Sequence, residues 1–559
     1  MAEQESEVER IKAASRYLRG TIHSGLQDPL TAAIDPDDAQ LLKFHGSYQQ
    51  DDRDLREERR RSKLEPAYGF MVRVRAPGGV LEPRQWLKLD ELGRSYGDGS
   101  LRLTSRQTVQ LHGILKWQLR QNIATINEIL LTTLGACGDV NRNVMCHPNP
   151  DTPLQREVFG HARALSEYLL PNTTAYHEIW LENEKVLDSR SDEEPLYGST
   201  YLPRKFKIGV AIPPSNDVDV FSQDLGFIAV SDGGALLGFN VAVGGGMGMT
   251  YGEENTYPNL ATVIGFCAPD QLIAVAQGVL TVQRDFGDRT NRMHARLKYT
   301  IDDRGTEWFV AELERRLGFE LAPPAEYTFE TSGDRYGWIE GTGDRHHLTL
   351  FVENGRLRER ALDGLRAIAE LGRGDFRLTP NQNLIVCGVP GADRPRVEDI
   401  AREYGLLSAA GPSPLHRGAM ACVAFPTCGL AMAESERYLP AFLDQLQEIV
   451  NEAGLGDQEI MVRMSGCPNG CSRPFLGEIG LTGKAPGRYN LYLGAGFRGD
   501  RLNCLYRENI RPEEIFAALS PIIHRYAEER TPGEHFGDFV VRAGYVRHVA
   551  CGREFHANG

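Results

Sequence analysis

The chain has 559 residues, of which 41% are hydrophobic and 25% charged, an ordinary globular composition with room for about three or four domains. Its formal net charge of −14 argues against general nucleic-acid binding, because phosphate recognition needs a basic surface. The acidic start "MAEQESEVER" lacks the basic and apolar parts of a signal peptide, and no run of about 18 apolar residues follows. We therefore expect a soluble, cytoplasmic protein without a membrane partner.

An internal repeat organises the chain. The stretch "SLRLTSRQTVQLHGIL" (100 to 115) recurs as "DFRLTPNQNLIVCGVP" (375 to 390), and a helical pattern precedes each copy. Residue identity recurs together with the period, which favours a true repeat over the coincidence of a common strand pattern. Two related halves should therefore pack about a pseudo-twofold axis.

The first copy carries polar side chains at alternating positions of one predicted strand. These are Arg102, Thr104, Arg106, Gln110 and His112. Alternation would place all five on one face of the strand. At the equivalents of Arg106, Gln110 and His112, the second copy has Asn381, Ile385 and Cys387. One half thus keeps a polar, basic face that the other has largely lost.

Further basic residues could complete an anion pocket within this acidic protein. They are Arg73, Arg75, Arg142, Arg204, Lys205, Lys207, Arg296 and Lys298. A solvated surface is the usual place for any one such charge. Lys205 and Lys207, however, alternate in a strand-like run, which puts both ammonium groups on one face. Phe206 on the opposite face indicates that this strand is packed.

Four of the ten cysteines stand apart by their spacing: Cys422, Cys428, Cys467 and Cys471. Between the two pairs, residues 430 to 455 have the periodicity of an amphipathic helix, and a predicted strand returns over 460 to 464. This path would bring four thiols around one point. Such a set suits zinc or an iron–sulfur cluster, while free buried cysteines are the alternative. We interpret the isolated cysteines as structural: Cys137, Cys146, Cys267, Cys387, Cys504 and Cys551.

One glycine motif raises the question of a dinucleotide site. The stretch "GAGFRG" (494 to 499) follows a strand-like run, but the next convincing helix begins near Pro512. A dinucleotide-binding fingerprint needs a helix directly after the glycines. We therefore predict a hairpin turn there. With no flavin or nicotinamide site apparent, an enzyme of this sequence would need an external electron donor.

The motifs "ACVAFPTCGLAMAESE", "SGCPNGCSRP", "RLTSRQTVQLHGI" and "YLPRKFK" together resemble the sirohaem and iron–sulfur sulfite/nitrite reductases. The resemblance is nearly full-length, from "RYLRGTI" through "FHGSYQQDDRDLREERRRSKLEP" to "FGDFVVRAG". The closer branch is the haemoprotein component of bacterial assimilatory sulfite reductases.

The resemblance implies roles for named residues. A [4Fe-4S] cluster would bind to Cys422, Cys428, Cys467 and Cys471, with Cys471 also axial to the sirohaem iron. Sirohaem contacts would come from Arg102, Thr104, Arg106, Gln110, His112, Arg204, Lys298 and Asn469. Substrate-binding cations would be Arg73, Arg142, Lys205 and Lys207. Gly466 and Gly470 would let the backbone approach inorganic sulfide and the macrocycle closely.

The implied reaction is the six-electron reduction of sulfite to sulfide. The implied donor is a diflavin NADPH reductase subunit, with ferredoxin as an alternative. Two other functions stay open: nitrite reduction with the same cofactors, and, from another class, a non-enzymatic electron carrier or zinc-bound scaffold.

For architecture we predict an α+β fold with a pseudo-twofold duplication. The expected divisions are an N-terminal arm (1–63), a first ferredoxin-like repeat (64–135), a sirohaem- and substrate-binding domain (136–336), a second ferredoxin-like repeat (337–409) and an iron–sulfur and sirohaem domain (410–559). The two repeats should pair, with the cofactors at the domain junction.

Overall fold

Two five-stranded antiparallel sheets carry the two copies of the repeat in the computed structural model, which describes residues 5–172, 178–181, 184–188, 194–408 and 411–557. The first sheet has the order β1 (Ser47–Asp51), β2 (Tyr68–Val74), β5 (Val109–Ile114), β4 (Ser100–Leu103), β15 (Arg356–Arg358). The second has the order β13 (Gly337–Glu340), β14 (Arg345–Leu350), β17 (Leu384–Pro390), β16 (Asp375–Leu378), β3 (Val80–Leu81).

The two sheets exchange an edge strand. The second repeat supplies β15, which pairs with β4, and the first supplies β3, which pairs with β16. A paired edge no longer exposes a row of free backbone groups. The exchange therefore ties the repeats together reciprocally, and it confirms the predicted pseudo-twofold duplication.

A helix precedes each hairpin, as predicted: α5 (Pro83–Ser95) and α11 (Glu359–Glu370). The first begins with a proline and a reciprocal cap in which Gln85 accepts from the Glu82 amide (2.9 Å), an arrangement that satisfies free amides of the first turn. Its buried Trp86 stacks on Phe376 of the other repeat, with ring centroids 4.9 Å apart. The helices thus help to join the two repeats.

The prediction of one strand over 100 to 115 is wrong. The stretch is a hairpin, β4 and β5, joined by a turn at residues 104–108. The Thr104 hydroxyl bonds that of Thr108 (2.7 Å) and accepts from the amides of Arg106 (3.2 Å) and Thr108 (3.3 Å). Short polar side chains that bond nearby amides favour turns. Of the five predicted face residues, Arg102 lies on β4 opposite Gln110 of β5, His112 follows on β5, and Thr104 and Arg106 belong to the turn.

Two further sheets share one topology. One has the order β6 (Met145–Cys146), β9 (Ile208–Ala211), β10 (Leu225–Asp232), β11 (Ala235–Val243), β12 (Thr262–Cys267). The other has the order β18 (Met420–Ala421), β19 (Val462–Ser465), β20 (Ile479–Ala485), β21 (Arg488–Leu493), β22 (Cys504–Ile510). In each, the first three strands are parallel to one another, and each of the last two strands runs antiparallel to the neighbour before it. A separate hairpin consists of β7 (Glu178–Leu181) and β8 (Glu184–Asp188). Duplication therefore extends beyond the repeat seen in the sequence.

Helices cover these sheets and form the N-terminal arm. They are α1 (Glu7–Ala14), α2 (Ile22–Gln27), α3 (Pro36–Leu42), α4 (Arg56–Arg61), α6 (Leu119–Glu128), α7 (Pro153–Tyr168), α8 (Leu272–Phe286), α9 (Leu297–Arg304), α10 (Thr306–Leu317), α12 (Arg394–Glu403), α13 (Pro414–Arg417), α14 (Leu439–Glu452), α15 (Pro512–Glu529) and α16 (Phe536–Arg542). Among the described residues, no helix is both long enough and apolar enough to span a membrane.

The C-terminal part differs from prediction at one helix start. The helix expected over 430 to 455 begins at Leu439, because the amides of Met432 and Ala433 bond to the Gly466 carbonyl (2.8 and 3.1 Å) instead of continuing a helix. The returning strand is β19, close to its predicted place. The "GAGFRG" stretch connects the antiparallel strands β21 and β22, and a helix begins at Pro512, which confirms the predicted hairpin.

Candidate active site

Two cysteine-bearing loops meet at one edge of the C-terminal sheet. Cys422 directly follows β18, and Cys467 lies just beyond the neighbouring parallel strand β19. Carboxyl ends of adjacent parallel strands lie at the same edge of a sheet. The Gly466 amide donates to the Cys422 sulfur (3.2 Å), and the Cys422 amide donates to the Met464 carbonyl (3.2 Å). The predicted convergence of the two cysteine pairs is therefore present.

The four thiols act on one another electrostatically. Burial raises the pKa of Cys422 to about 12, with Cys471 and then Cys467 adding to the rise. Burial and then Cys471 likewise raise the pKa of both Cys428 and Cys467 to about 11. Metal binding to such thiols must release protons, because the thiolate is the ligand.

The chemistry of this donor set fits an iron–sulfur cluster. Within the described residues, no three His, Cys, Asp or Glu side chains are grouped so as to hold a single metal ion. Cys471 is exposed, whereas Cys467 is buried and the other two are half-buried. Cys471 is thus the thiol of the four most open to a further group.

The two glycines of the second cysteine loop allow close packing against protein. A Cβ at Gly466 would lie 2.6 Å from that of Ala424. Gly470 has φ +62°, and a Cβ there would lie 2.8 Å from the Met247 carbonyl oxygen. Backbone at positive φ favours glycine. The close approaches seen here are to the first cysteine loop and to the glycine-rich stretch 243–249, whereas the expected approach to cofactors stays a prediction.

The first hairpin lies directly beside the second cysteine loop. Its Ser105 hydroxyl donates to the Cys471 carbonyl (3.0 Å). On the sheet, Gln110 lies opposite Arg102 on one side and Arg73 on the other. With the Gln110 amide oriented so that its oxygen faces Arg73, the Arg73 Nε donates to that oxygen (3.1 Å). Cross-strand pairing therefore produces a row of polar side chains next to the cysteines.

Two side chains near this row have buried polar atoms without partners among the described residues. Both ring nitrogens of His112 and the Nε of Arg106 are in this state. Burial, and then the cations Arg356, Arg102 and Arg73, hold the pKa of His112 well below its usual value. Buried polar groups are normally hydrogen-bonded. The Arg106 Nε and the single N–H of an imidazole whose pKa is lowered in this way are donors that fit a bound polycarboxylate such as sirohaem.

Other predicted cofactor residues are engaged with protein groups. Arg102 forms an ion pair with Glu436, which Arg356 shares, and donates to the Ala421 carbonyl (3.0 Å). Although burial raises it, these two arginines hold the pKa of Glu436 below its usual value. Lys298 donates to the carbonyls of Gly246 (3.1 Å), Gly248 (2.9 Å) and Tyr257.

Lys298 thus holds the glycine-rich stretch. Asn469 donates to the Cys467 sulfur (3.5 Å), and Thr104 braces the turn of the first hairpin. Their predicted contacts with the macrocycle stay predictions.

The predicted substrate cations converge beside the cysteine loop. Burial lowers the pKa of Lys205 to about 7, with Arg204 and Arg296 lowering it and Cys471 opposing them. Burial, and then Lys205, lower the pKa of Lys207 well below its usual value. Burial also lowers the pKa of Arg204 to about 10. Phe206 is fully buried, as predicted. Electrostatic interaction weakens with distance, so the effects of Cys471 on the pKa of Lys205 and of Lys205 on the pKa of Lys207 indicate that the three side chains lie close together.

Arg73 and Arg142 have partners that sequence reasoning missed. Arg73 donates to the Cys137 sulfur (3.1 Å). Burial lowers its pKa, but Cys137, Tyr48 and Cys471 produce a net rise. Arg142 donates to the Gly138 carbonyl (2.9 Å) and interacts with Tyr48. No local pattern marks Tyr48 or Cys137, because they come from the arm and from a separate loop.

In the second repeat, the hairpin turn equivalent to residues 104–108 is closed by a carboxylate of the protein itself. This turn offers three donors to the carboxylate of Asp334: Thr379 (2.6 Å), Asn381 (3.0 Å) and Asn383 (2.8 Å).

Two of the four cysteines have counterparts in the other large sheet. His147 directly follows β6, as Cys422 follows β18, and Asp217 lies six residues past β9, as Cys471 lies six past β19. These two side chains bond each other (2.7 Å). The first-half counterparts of two cysteines thus form a His–Asp pair.

Comparisons with known proteins agree with this duplication. A family model described as nitrite/sulfite reductase ferredoxin-like half domain matches residues 63–129 and 339–404. A second, described as nitrite and sulphite reductase 4Fe-4S domain, matches residues 162–321. That stretch contains β9 to β12, whose structural duplicates are β19 to β22, and Cys467 and Cys471 lie in the loop that follows β19.

Full-length relatives agree with the family models. The chain is 59% identical over 557 residues to a protein of Oceanobacillus iheyensis named sulfite reductase [NADPH] hemoprotein beta-component, covering 99% of this chain and 96% of that one. A protein of the same name from Bacillus subtilis is 56% identical, covering 99% and 98%.

The Mycobacterium tuberculosis NirA protein shares the fold, with a TM-score of 0.77, 23% identity and 96% coverage of both chains. With the repeat pair, the four-cysteine site and relatives that match from end to end, the chain belongs to the nitrite and sulfite reductase family.

Proposed function

We propose that the protein is a sulfite reductase haemoprotein, which reduces sulfite to sulfide at a sirohaem coupled through Cys471 to a [4Fe-4S] cluster. The observation that carries the proposal is the position of the cations. Cys471, the most exposed of the four thiols, acts electrostatically on both Arg73 and Lys205. A site that joins metal-ligating thiols to converging cations suits an oxyanion reduced at a metal.

The residues present can hold both groups. Cys422, Cys428, Cys467 and Cys471 would bind the cluster, and Cys471 would also reach the sirohaem iron. Orphaned donors on His112 and Arg106 suit carboxylates of the macrocycle. When bound, the cluster supplies single electrons and the sirohaem supplies the iron that takes sulfite. We place both groups at the junction of the predicted domains 136–336 and 410–559.

The chain's own cations have two tasks. Arg73 and Arg142, held by Gln110 and the Gly138 carbonyl, would bind and orient the oxyanion through charge-assisted hydrogen bonds. Lys205 and Lys207 would donate protons as oxygen leaves as water. A lysine with a pKa near 7 gives up its proton near neutrality far more readily than an ordinary lysine. The balance is sulfite, six electrons and seven protons to hydrosulfide and three waters.

The electron donor is proposed to be a flavoprotein that draws on NADPH. The support is the name that the full-length relatives carry, which specifies NADPH and a beta-component. A ferredoxin donor is the alternative. Purified candidate donors can be tested by the rate of sulfide formation that each sustains.

The decisive experiment is anaerobic turnover with reduced viologen as a donor that needs no partner protein. Sulfite and nitrite are supplied separately and in competition, and sulfide and ammonium are quantified. Efficient sulfide formation at low sulfite, with nitrite the poorer substrate, is expected. Preference for nitrite would overturn the proposed substrate while keeping the family.

A further inference from the structure

The N-terminal arm contacts the outer side of the first cysteine loop. Arg53 donates one guanidinium nitrogen to the carbonyls of Cys428 (3.0 Å) and Ala431 (2.7 Å). Its amide donates to the Pro426 carbonyl (3.1 Å), and its guanidinium carbon lies 4.4 Å from the ring centroid of Phe425. One arm residue thus makes four contacts with the loop that carries Cys422 and Cys428.

The loop depends on the arm because its outer side is open to solvent. Leu430, two residues after Cys428, is 68% exposed. The inward side is held by the second cysteine loop, through the bonds of Met432 and Ala433 to the Gly466 carbonyl. On the outer side, the Cys428 and Ala431 carbonyls meet Arg53. Loop carbonyls held by a charged donor resist fraying better than carbonyls held by water.

The arm is itself anchored on both sides of Arg53. Before it, β1 pairs with β2 in the first sheet. After it, Asp54 forms an ion pair with Arg437 (2.6 Å), close to the start of α14. Arg53 is therefore presented to the loop from a fixed segment, rather than from a freely moving chain.

We propose that Arg53 is a positioning residue for the cluster, fixing the Cys428 side of the site and slowing loss of iron from it. The inference rests on the proposed function, because it assumes that the four cysteines bind a [4Fe-4S] cluster. The guanidinium also places a positive charge beside a ligand residue. Reduction adds a negative charge to a cluster, so a nearby cation favours the reduced state and raises the reduction potential.

The test uses the purified holoprotein and three variants: Arg53→Ala, Arg53→Lys and the control Arg56→Ala. Arg56 lies on the same arm but bonds Asp51 (2.7 Å). Two readouts independent of turnover are measured, namely the rate of iron transfer to a ferrous chelator and the midpoint potential of the cluster.

For Arg53→Ala we expect iron loss roughly tenfold faster, since the loop loses charge-assisted hydrogen bonds, together with a lower midpoint potential. Arg53→Lys keeps the charge but lacks the planar guanidinium that lies over the Phe425 ring. It should keep most of the potential while losing iron at an intermediate rate. The Arg56→Ala protein should match the wild type in both measurements.

Iron loss and potential in Arg53→Ala that equal the wild-type values would overturn the inference alone. If Arg53→Ala yields little folded protein, Arg53→Lys decides: wild-type iron retention there would overturn the inference, and faster loss would support it. A wild-type protein that binds no four-iron cluster would overturn the proposed function and this inference together.

Discussion

Asp219 and Arg473 occupy equivalent places in the two halves of the chain and bond each other. Each adopts a left-handed conformation, with φ of 48° and 55°, directly before a short 3-10 turn, Val220–Ser222 in one half and Pro474–Leu476 in the other. The Arg473 Nε donates to the Asp219 carboxylate. Two equivalent residues that touch must lie on the pseudo-twofold axis.

Arg473 also joins the two hairpin turns. It donates to the carbonyls of Ser105 (2.8 Å) and Pro380 (3.0 Å), each of which lies two residues past the equivalent strands β4 and β16. Because Arg473 is two residues from Cys471, the pseudo-twofold axis passes close to the candidate active site. This arginine stood in the sequence motif around the second cysteine pair, but its partners could not be inferred from it.

Asp219→Asn should destabilise the fold strongly. The carboxylate also accepts from Arg463 (2.6 Å), so the change leaves two buried guanidinium groups without a counter-charge. Breaking a buried ion pair costs about 3–5 kcal/mol. The measurement is denaturant unfolding followed by fluorescence. Asp363→Asn, at an exposed pair with Arg94, is the control and should change stability by no more than about 1 kcal/mol. Equal losses of unfolding free energy in the two variants would contradict the proposed stabilising role of Asp219.

Lys205→Met and Lys207→Met should each keep the visible absorption spectrum of the cofactors and lose most sulfite turnover. Loss of a general acid lowers the rate by a factor on the order of 100. The measurement is anaerobic viologen-linked sulfide formation by variants matched for sirohaem content. Unchanged turnover would remove these lysines from the mechanism.

The pH profile gives a separate test of Lys205. Its ammonium donates protons only while charged, and burial lowers its pKa to about 7. Turnover should therefore fall as the pH rises through 7 or somewhat above it, since a bound oxyanion favours the charged form. In Lys205→Arg the guanidinium stays charged throughout, so this alkaline limb should disappear, whatever the maximal rate. A limb that persists at the same pH would assign it to another group.

Cys471→Ser should disturb the cluster and the sirohaem together, because one sulfur is proposed to serve both. Electron paramagnetic resonance of the cluster and visible absorption of the haem are the two measurements. Cys551→Ser, at an isolated exposed cysteine, is the control and should leave both signals intact. A Cys471→Ser protein with normal signals from both groups would refute the shared ligand.

Asp334→Ala should open the closed turn of the second half. Thr379, Asn381 and Asn383 would lose their shared acceptor, and leaving a buried donor unsatisfied costs about 1–3 kcal/mol. Formate is a small carboxylate that could take the vacated position, so it should raise the melting temperature of this variant with saturation. The wild type and the control Asp393→Ala, at a surface pair with Arg373, should show no saturable response.

Local sequence determined the elements and the chemistry at the centre of the site. The helical pattern placed α5 and α11, the recurring residues identified the repeat, and proline at 512 marked the start of α15. The spacing of Cys422, Cys428, Cys467 and Cys471 identified the thiol set. Each of these signals is carried by neighbouring residues, because helix and strand formation depend on side chains a few positions apart.

The tertiary structure alone decided which charged groups meet across the chain. Arg102 pairs with Glu436, Arg53 reaches the Cys428 carbonyl, and Asp219 meets Arg473, across separations of hundreds of residues. The exchange of β3 and β15 between repeats was equally invisible in the sequence. Such contacts follow from how whole sheets pack about the pseudo-twofold axis, and the local pattern of a charged residue is the same whether its partner is water, another chain segment or a cofactor.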